Sequence, residues 1–321
     1  MKSILVTGIG GGVGQGIIRN IRSMGINVDI IGTNVSIVSS GNHLCNHVHQ
    51  VPYAYDPEYI LFIEKIVSQH AVGLIIPSTD YEAYYLALFQ SSLSAKVAAS
   101  PAEVSEFCLD KYLNFQCFHA AGIPFANSFL PSNYRNQLKR IVAKPRKGRG
   151  SRNIYVDHPA PQELGDDYLI QEYLDGPELT TAVYVRQSGE LHGYITLNRE
   201  LDQGATSCCE VTDNYNYLID DIINRIISTF PFRGSFNIQS RVTKNGVIPF
   251  EINCRISGTN SIRSQFGFKD VEYTVQDFLF NQTPEAPLIK PGCALRIMHD
   301  VIYPGLTLNE ISNCNDKHWI F

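Results

Sequence analysis

From Phe236 to Arg255 apolar and polar residues alternate through two runs, separated at Lys244-Asn245-Gly246. Phe236, Ile238 and Val242 fall on one side of the first run, and Ile248, Phe250 and Ile252 share one side of the second. A period of two is that of a β-strand, and Asn-Gly between two such runs signals a hairpin. The opposite face then carries Asn237 and Gln239 on one strand and Glu251, Asn253 and Arg255 on the other. Register follows from keeping the two faces apart. A two-residue Asn-Gly turn sets Gln239 opposite Ile252 and mixes them, whereas a three-residue loop with a left-handed Gly246 bulge sets Gln239 opposite Glu251. The second arrangement is the expected one.

The earlier part of the chain has a different rhythm. Ile4 to Val6 is a short apolar run, followed by Thr7-Gly8-Ile9-Gly10-Gly11-Gly12-Val13-Gly14 and a helical pattern to about Met24. Val28 to Ile31, Gly73 to Ile76 and Ala95 to Ala99 read as further strands, with a helix at Pro57 to Gln69. Alternating strand and helix predict a parallel, doubly wound sheet. Pro101 starts a helix, and Asp110-Lys111 opens another that stops at Gly122, ahead of Ile123-Pro124. Strands follow at Ile141 to Pro145, Tyr168 to Leu174, Glu178 to Val183, Leu191 to Leu197 and Gly204 to Val211, then a helix from Tyr215 to Phe230. After the hairpin come a polar turn at Ser257 to Arg263 and a closing helix at Asp270 to Phe280.

A length of 321 residues calls for more than one compact unit. The net charge of −5 argues against non-specific binding to nucleic acid or to an anionic membrane. Eight cysteines lie scattered, two of them adjacent as Cys208-Cys209, with no Cys-x-x-Cys pair. That usage fits neither a disulfide framework nor a zinc site and points to mostly structural thiols in a reducing cytoplasm. No apolar run is long enough for a signal peptide or a bilayer span, so a soluble cytoplasmic protein is expected.

The polar face of the hairpin suits one chemistry. Magnesium takes oxygen ligands, usually one or two carboxylates together with substrate phosphate oxygens. Glu251 can bridge ions, Gln239 and Asn253 can add neutral oxygens, and Arg255 can hold a phosphate or a developing acyl phosphate. Each residue taken singly also fits an ordinary half-exposed hairpin. Gln239 followed by Glu251-Ile252-Asn253-Cys254-Arg255 and Ile256-Ser257-Gly258 resembles the metal-binding end of the ATP-grasp superfamily, in particular its carbamoyl-phosphate-synthase-large-subunit-like branch.

The same resemblance extends over roughly Asp110 to Phe280. Asp110-Lys111, a helix and Gly-Ile-Pro resemble the entry to the nucleotide region, which makes Lys111 a phosphate contact; a solvated helix lysine is the plain alternative. Arg146-Lys147-Gly148-Arg149-Gly150-Ser151-Arg152 is a basic, glycine-punctuated loop whose amides can approach an anion closely. No aromatic residue is interleaved there to stack bases, and no Walker motif is present. The loop resembles the phosphate lid of ATP-grasp enzymes, which implies nucleotide contacts from Lys144, Lys147, Gly148, Arg149, Gly150 and Ser151. By the same likeness Glu172, Tyr173 and Leu174 form the adenine hinge and Glu178 takes the ribose hydroxyls, although Glu178 also fits a plain strand residue.

Thr7-Gly8-x-x-Gly11-x-x-Gly14 alone would suit a nicotinamide-dependent sugar-nucleotide enzyme. Against that, the second strand ends in Gly32-Thr33-Asn34 without an acid for a ribose hydroxyl, and no Tyr is followed four residues later by Lys. The glycines can instead permit close packing or line a substrate pocket, with Gly11, Asp80, Ser257 and Arg263 as substrate candidates; Asp80 is equally placed to cap the helix after it. The expected fold class is α/β, α+β in the nucleotide part, in four regions: a Rossmann-like substrate domain over 1–100, linker helices and a lid over 101–174, a core with the metal hairpin over 175–285, and a small strand unit over 286–321. The resemblance implies a carboxylate–amine ligase using ATP with Mg²⁺ or Mn²⁺, with Arg255, Lys144 and Arg149 catalytic. Two small molecules are its implied partners, with neither nucleic acid nor membrane, and a homodimer is an open arrangement. A non-catalytic ATP sensor of the same fold is the other alternative.

Overall fold

The computed structural model describes residues 2–148 and 153–321, so Arg149, Gly150 and Ser151 lie outside the described residues. Five parallel strands, β1 (Lys2–Val6), β2 (Val28–Asn34), β3 (His47–Gln50), β4 (Val72–Ile76) and β5 (Lys96–Val97), form a sheet of order β3-β2-β1-β4-β5. The order reverses beside β1, so the crevice for a ligand opens at its carboxyl end, above the glycine loop. Helices α1 (Gly12–Ser23), α2 (Tyr59–Gln69) and α3 (Asp80–Leu88) connect these strands. β3 is an addition to the strands legible in sequence: His-Val-His-Gln has only one apolar residue and no alternation of the apolar kind.

The glycine loop works by packing. A methyl group at Gly14 would sit 2.7 Å from the Gly8 carbonyl oxygen and 3.0 Å from Ile9 Cα, both backbone atoms that cannot step aside. Asp80 does not cap α3. Thr79 does, accepting from Glu82 N while the Glu82 carboxylate accepts from Thr79 N, a reciprocal capping box. Asp80 is thereby the first residue of the helix, and it lines the crevice.

Helices α4 (Ala102–Leu109) and α5 (Lys111–Ala120) lead to a four-stranded sheet of β6 (Ser128–Phe129), β7 (Ile141–Pro145), β8 (Tyr155–Val156) and β9 (Tyr168–Glu172), in the order β6-β9-β7-β8. Asp110 caps α5, its carboxylate accepting from Tyr112 N and Leu113 N. The largest sheet follows: β10 (Glu178–Val185), β11 (Leu191–Asp202), β12 (Ala205–Val211), β13 (Gly234–Thr243) and β14 (Gly246–Asn253), with α6 (Asn216–Thr229) laid on one face. Short helices α7 (Asn260–Arg263) and α8 (Asp270–Thr274) come next, α8 running on into a π-helical turn at Val275–Leu279. Val271, Val275, Phe278 and Leu279 from this segment complete the core under the N-terminal sheet, so the two halves of the chain share one apolar interior.

β15 (Cys293–Leu295) pairs with β12 and makes the sheet six-stranded, so part of the 286–321 tail belongs to the central module; β16 (Val301–Ile302) and β17 (Trp319–Ile320) pair only with each other. All eight cysteines are free. Among the described residues no helix is long and apolar enough to cross a membrane.

Candidate active site

The hairpin β13–β14 sets Gln239 opposite Glu251 and Asn237 opposite Asn253, the expected register at the polar patch. The extra residue that fixes this register lies elsewhere than expected. Thr243 pairs with Gly246 across a two-residue turn, Gly246 taking φ +104°, and the slip falls between Gln239 and Ser240, where Phe250 is left over. The bulge turns the outer half of β14 over, so Val247 rather than Ile248 enters the core, and Phe250 is left half-buried. Its carbonyl oxygen accepts from Lys144 Nζ at 3.5 Å and Gln171 Nε2 at 3.2 Å.

The hairpin floors a cleft of about 470 Å³ between the three sheets. Gly11, Gly12, Ser78 and Asp80 come from the N-terminal sheet, Lys111, Lys144 and Gly148 from the middle region, and Gln239, Glu251, Asn253, Arg255 and Ser257 from the hairpin and its exit. Among the described lining residues five cations, Lys111, Lys144, Arg199, Arg255 and Arg296, face two carboxylates, Asp80 and Glu251. A chain of net charge −5 has gathered an excess of cations in this cleft.

Lys144 is held on β7 with its ammonium nitrogen 3.7 Å from Glu251 Oε2, and is almost wholly buried. Burial pushes its pKa down to about 8, against the pull of Glu251. For Glu251 burial acts in the opposite sense and would raise the pKa, but Lys111, Lys144, a hydrogen bond from Asn253 and Arg255 together hold it down at about 2. The carboxylate therefore stays ionised. Its contribution to stability is complete above its ordinary value of 4.5 and is lost as pH falls through about 2. Thermal melts of the wild type and of Glu251→Gln are expected to differ at neutral pH and to converge over that acid window; a gap unchanged down to the lowest pH would refute the electrostatic account.

Around Glu251 the polar side chains bond in series. Arg199 donates to Gln239 Oε1 at 2.9 Å, Gln239 Nε2 to Asn253 Oδ1 at 2.9 Å, and Asn253 Nδ2 to Glu251 Oε1 at 3.0 Å. The two amides thus turn their hydrogens, not their oxygens, along the path to the carboxylate. Arg199 also bridges Glu178 Oε1 at 2.8 Å, and Arg241 takes Oε2 at 2.9 Å. Glu178 is buried in that double clamp and does not line the cleft, nor do Glu172, Tyr173 and Leu174. Glu172 accepts from Asn127, Tyr173 stacks under Arg140 with the guanidinium 3.9 Å from its ring centre, and Leu174 is buried. Lys111 donates to the Gly148 carbonyl at 3.2 Å, at the cleft mouth, while Lys147 is exposed and outside the lining.

Arg255 reaches across to the N-terminal sheet and pairs with Asp80 Oδ2 at 3.0 Å, so two separate candidates meet. Arg263 does not join them. It is fully buried, bonded to both oxygens of Asp270 and to the hydroxyls of Ser257 and Thr259, and presents no surface to a substrate carboxylate. Three residues of the site were not legible as such in sequence. Asn237 is buried, with its oxygen accepting from Thr180 and Ser257, and its Nδ2 has no partner among the described residues. Asp80 Oδ1 and Arg255 Nε are likewise buried and unpartnered there. Arg199 and Arg296 come from strand and tail segments that carry no motif; alternation along β11 could have placed Arg199 on the hairpin's polar side.

Residues 165–301 match the family described as ATP-grasp in the biosynthetic pathway with Ter operon. No curated protein matches the sequence. Among solved structures, N5-carboxyaminoimidazole synthetase from Staphylococcus aureus, complexed with ADP, superposes with a TM-score of 0.77 at 14% identity, over 92% of this chain and 82% of that one. An L-amino acid ligase from Bacillus licheniformis gives 0.70 at 14% identity, over 91% and 78%. The biotin carboxylase domain of the Hydrogenobacter thermophilus 2-oxoglutarate carboxylase, in complex with MgADP, gives 0.70 at 13%, over 89% and 71%. Residues 165–301 thus match an ATP-grasp family model, and along nearly its whole length the chain has the fold of these enzymes.

Proposed function

We propose that the protein is an ATP-dependent ligase that activates a carboxylate as an acyl phosphate and joins it to an amine. The observation that carries this reading is the five-cation cleft of an acidic chain, built around one ionised glutamate, with three buried polar atoms of its lining residues unpartnered among the described residues. A carboxylate oxygen would attack the γ-phosphorus of ATP, the bond to the β–γ bridging oxygen breaking to give ADP. The amine nitrogen would then attack the acyl carbon, the carbon–oxygen bond to phosphate breaking and the nitrogen losing its proton. Such chemistry asks the protein for positioning and charge neutralisation.

Lys111 and Lys144 would clamp phosphates, Lys144 being mostly protonated at neutral pH with its pKa about 8. Arg255 would meet the transferring group, and Asp80, Asn237 and Ser257 the substrate. Glu251, anionic and among oxygen-bearing neighbours, fits a magnesium-class ion, with Asn253 and Gln239 to complete it; the ion supplies charge neutralisation of the triphosphate. The L-amino acid ligase likeness supports amino acids as substrates, and carboxylated metabolites are the wider class.

The test is ADP release with ATP and Mg²⁺ over a panel of amino acids and uronic-type acids, offered singly and in pairs with amines. Release that requires an acid and an amine together is the expected result. ATP binding without release across the whole panel, or tight NAD(P) binding with none of ATP, would overturn the proposal.

A further inference from the structure

Away from the cleft, at the free edge of the five-stranded sheet, three imidazoles and a carboxylate crowd together. His47 and His49 are two apart on the edge strand β3 and so share a face; Asp29 lies on the neighbouring β2, and His70 ends α2 above them. His47 Nε2 is 3.3 Å from Asp29 Oδ2, the His47 and His70 ring centres are 4.6 Å apart, and His49 Nε2 is 2.8 Å from His70 Nε2. One ligand atom each from Asp29, His47 and His70 lie within 4.8 Å of one another. None of these residues lines the cleft.

We propose that Asp29, His47 and His70 bind a divalent transition metal of the zinc class, with His49 as the residue that positions the His70 ring. The donor set decides the class. Imidazole nitrogens with one carboxylate suit zinc, cobalt, nickel or copper, whereas magnesium and calcium favour oxygen alone. Bonds of roughly 2.1 Å in a tetrahedron space ligand atoms roughly 3.4 Å apart, a spacing the Asp29–His47 pair already has. Three protein ligands leave a fourth position, and His47, about half exposed at 48%, opens it to solvent. An ion there would tie the edge strand to the next strand and to the end of a helix, three segments otherwise joined only through the sheet and its packing.

The experiment uses the full chain without an affinity tag, stripped with chelator and titrated with Zn²⁺ against a chromophoric competitor, with bound metal measured after dialysis. One equivalent of Zn²⁺ is expected, unaffected by excess Mg²⁺, together with a raised melting temperature. His47→Ala and His70→Asn are each expected to lose the stoichiometric binding, and His299→Ala, at an exposed position, to keep it. His49→Ala should weaken binding by about 10- to 100-fold while preserving the visible spectrum of the Co²⁺-loaded protein, which a ligand substitution would abolish. His70→Asn carries the test should His47→Ala fail to fold. Absence of stoichiometric Zn²⁺, or retention of it in both ligand variants, would overturn the site, as would its loss on Cys208→Ser or Cys293→Ser instead.

Discussion

Glu251→Gln is expected to lower substrate-dependent ADP release by about a hundred- to a thousandfold, the range for removing one preorganised electrostatic group from an active site. The substitution keeps the shape of the side chain and removes only its charge. Glu251 is the anion against which Lys111, Lys144 and Arg255 are balanced, and the end to which Asn253 donates. Without it Lys144 remains buried beside the Phe250 carbonyl with its ion-pair partner gone. The cleft's excess of positive charge would still attract a triphosphate, so binding of ATP without metal should survive better than turnover. Steady-state rates with the productive acid and amine, alongside ATP affinity, check this. Wild-type turnover in a folded Glu251→Gln protein would remove the proposed metal site and the mechanism with it.

Arg263→Met is expected to destabilise the protein by about 3–5 kcal/mol, the usual cost of removing one partner from a buried ion pair. Arg263 has no solvent exposure and binds both oxygens of Asp270, which is itself fully buried. Methionine would leave that carboxylate with Ser235 Oγ as its remaining side-chain donor. Because α8 and the turn after it complete the core under the N-terminal sheet, the loss should shift the unfolding of the whole chain rather than fray one end. Urea midpoints at neutral pH read the effect. A loss below about 1 kcal/mol, the size of an exposed pair, would show that the guanidinium is not structural.

Much of this was legible in the residues. Period-two alternation gave the hairpin and the pairing of Gln239 with Glu251, because one buried face leaves a single register in which apolar residues stay together. It could not say where the surplus residue sits, since a bulge at the turn and one at Phe250 give the same pairing at the polar end. Lys111, Lys144 and Arg255 reach the cleft as expected, each carried by an element whose caps or spacing are local. The buried ion pairs of Arg263 and Glu178 were not legible, for a common reason. A charged residue in a polar stretch looks free until distant partners are known, and their partners, Asp270 for one and Arg199 and Arg241 for the other, are fixed only by tertiary packing. Asn237 was placed on the polar face but given no role, because an asparagine on a strand has no signature until burial strips it of water.

Arg199 can give protons but accept none, and that settles more than its own bond. Gln239 has to show it an oxygen, so Gln239 can pass only hydrogens onward; Asn253 receives those on oxygen and must do the same toward Glu251. The row has a direction, fixed at one end by a group that only donates and at the other by a carboxylate that only accepts. A cation that recruits both amide oxygens would flip the pair and take from Arg199 one of its acceptors, leaving it to Glu178 alone. Arrival of an ion at one end of the hairpin would therefore be registered at the other, where Glu178 opens β10.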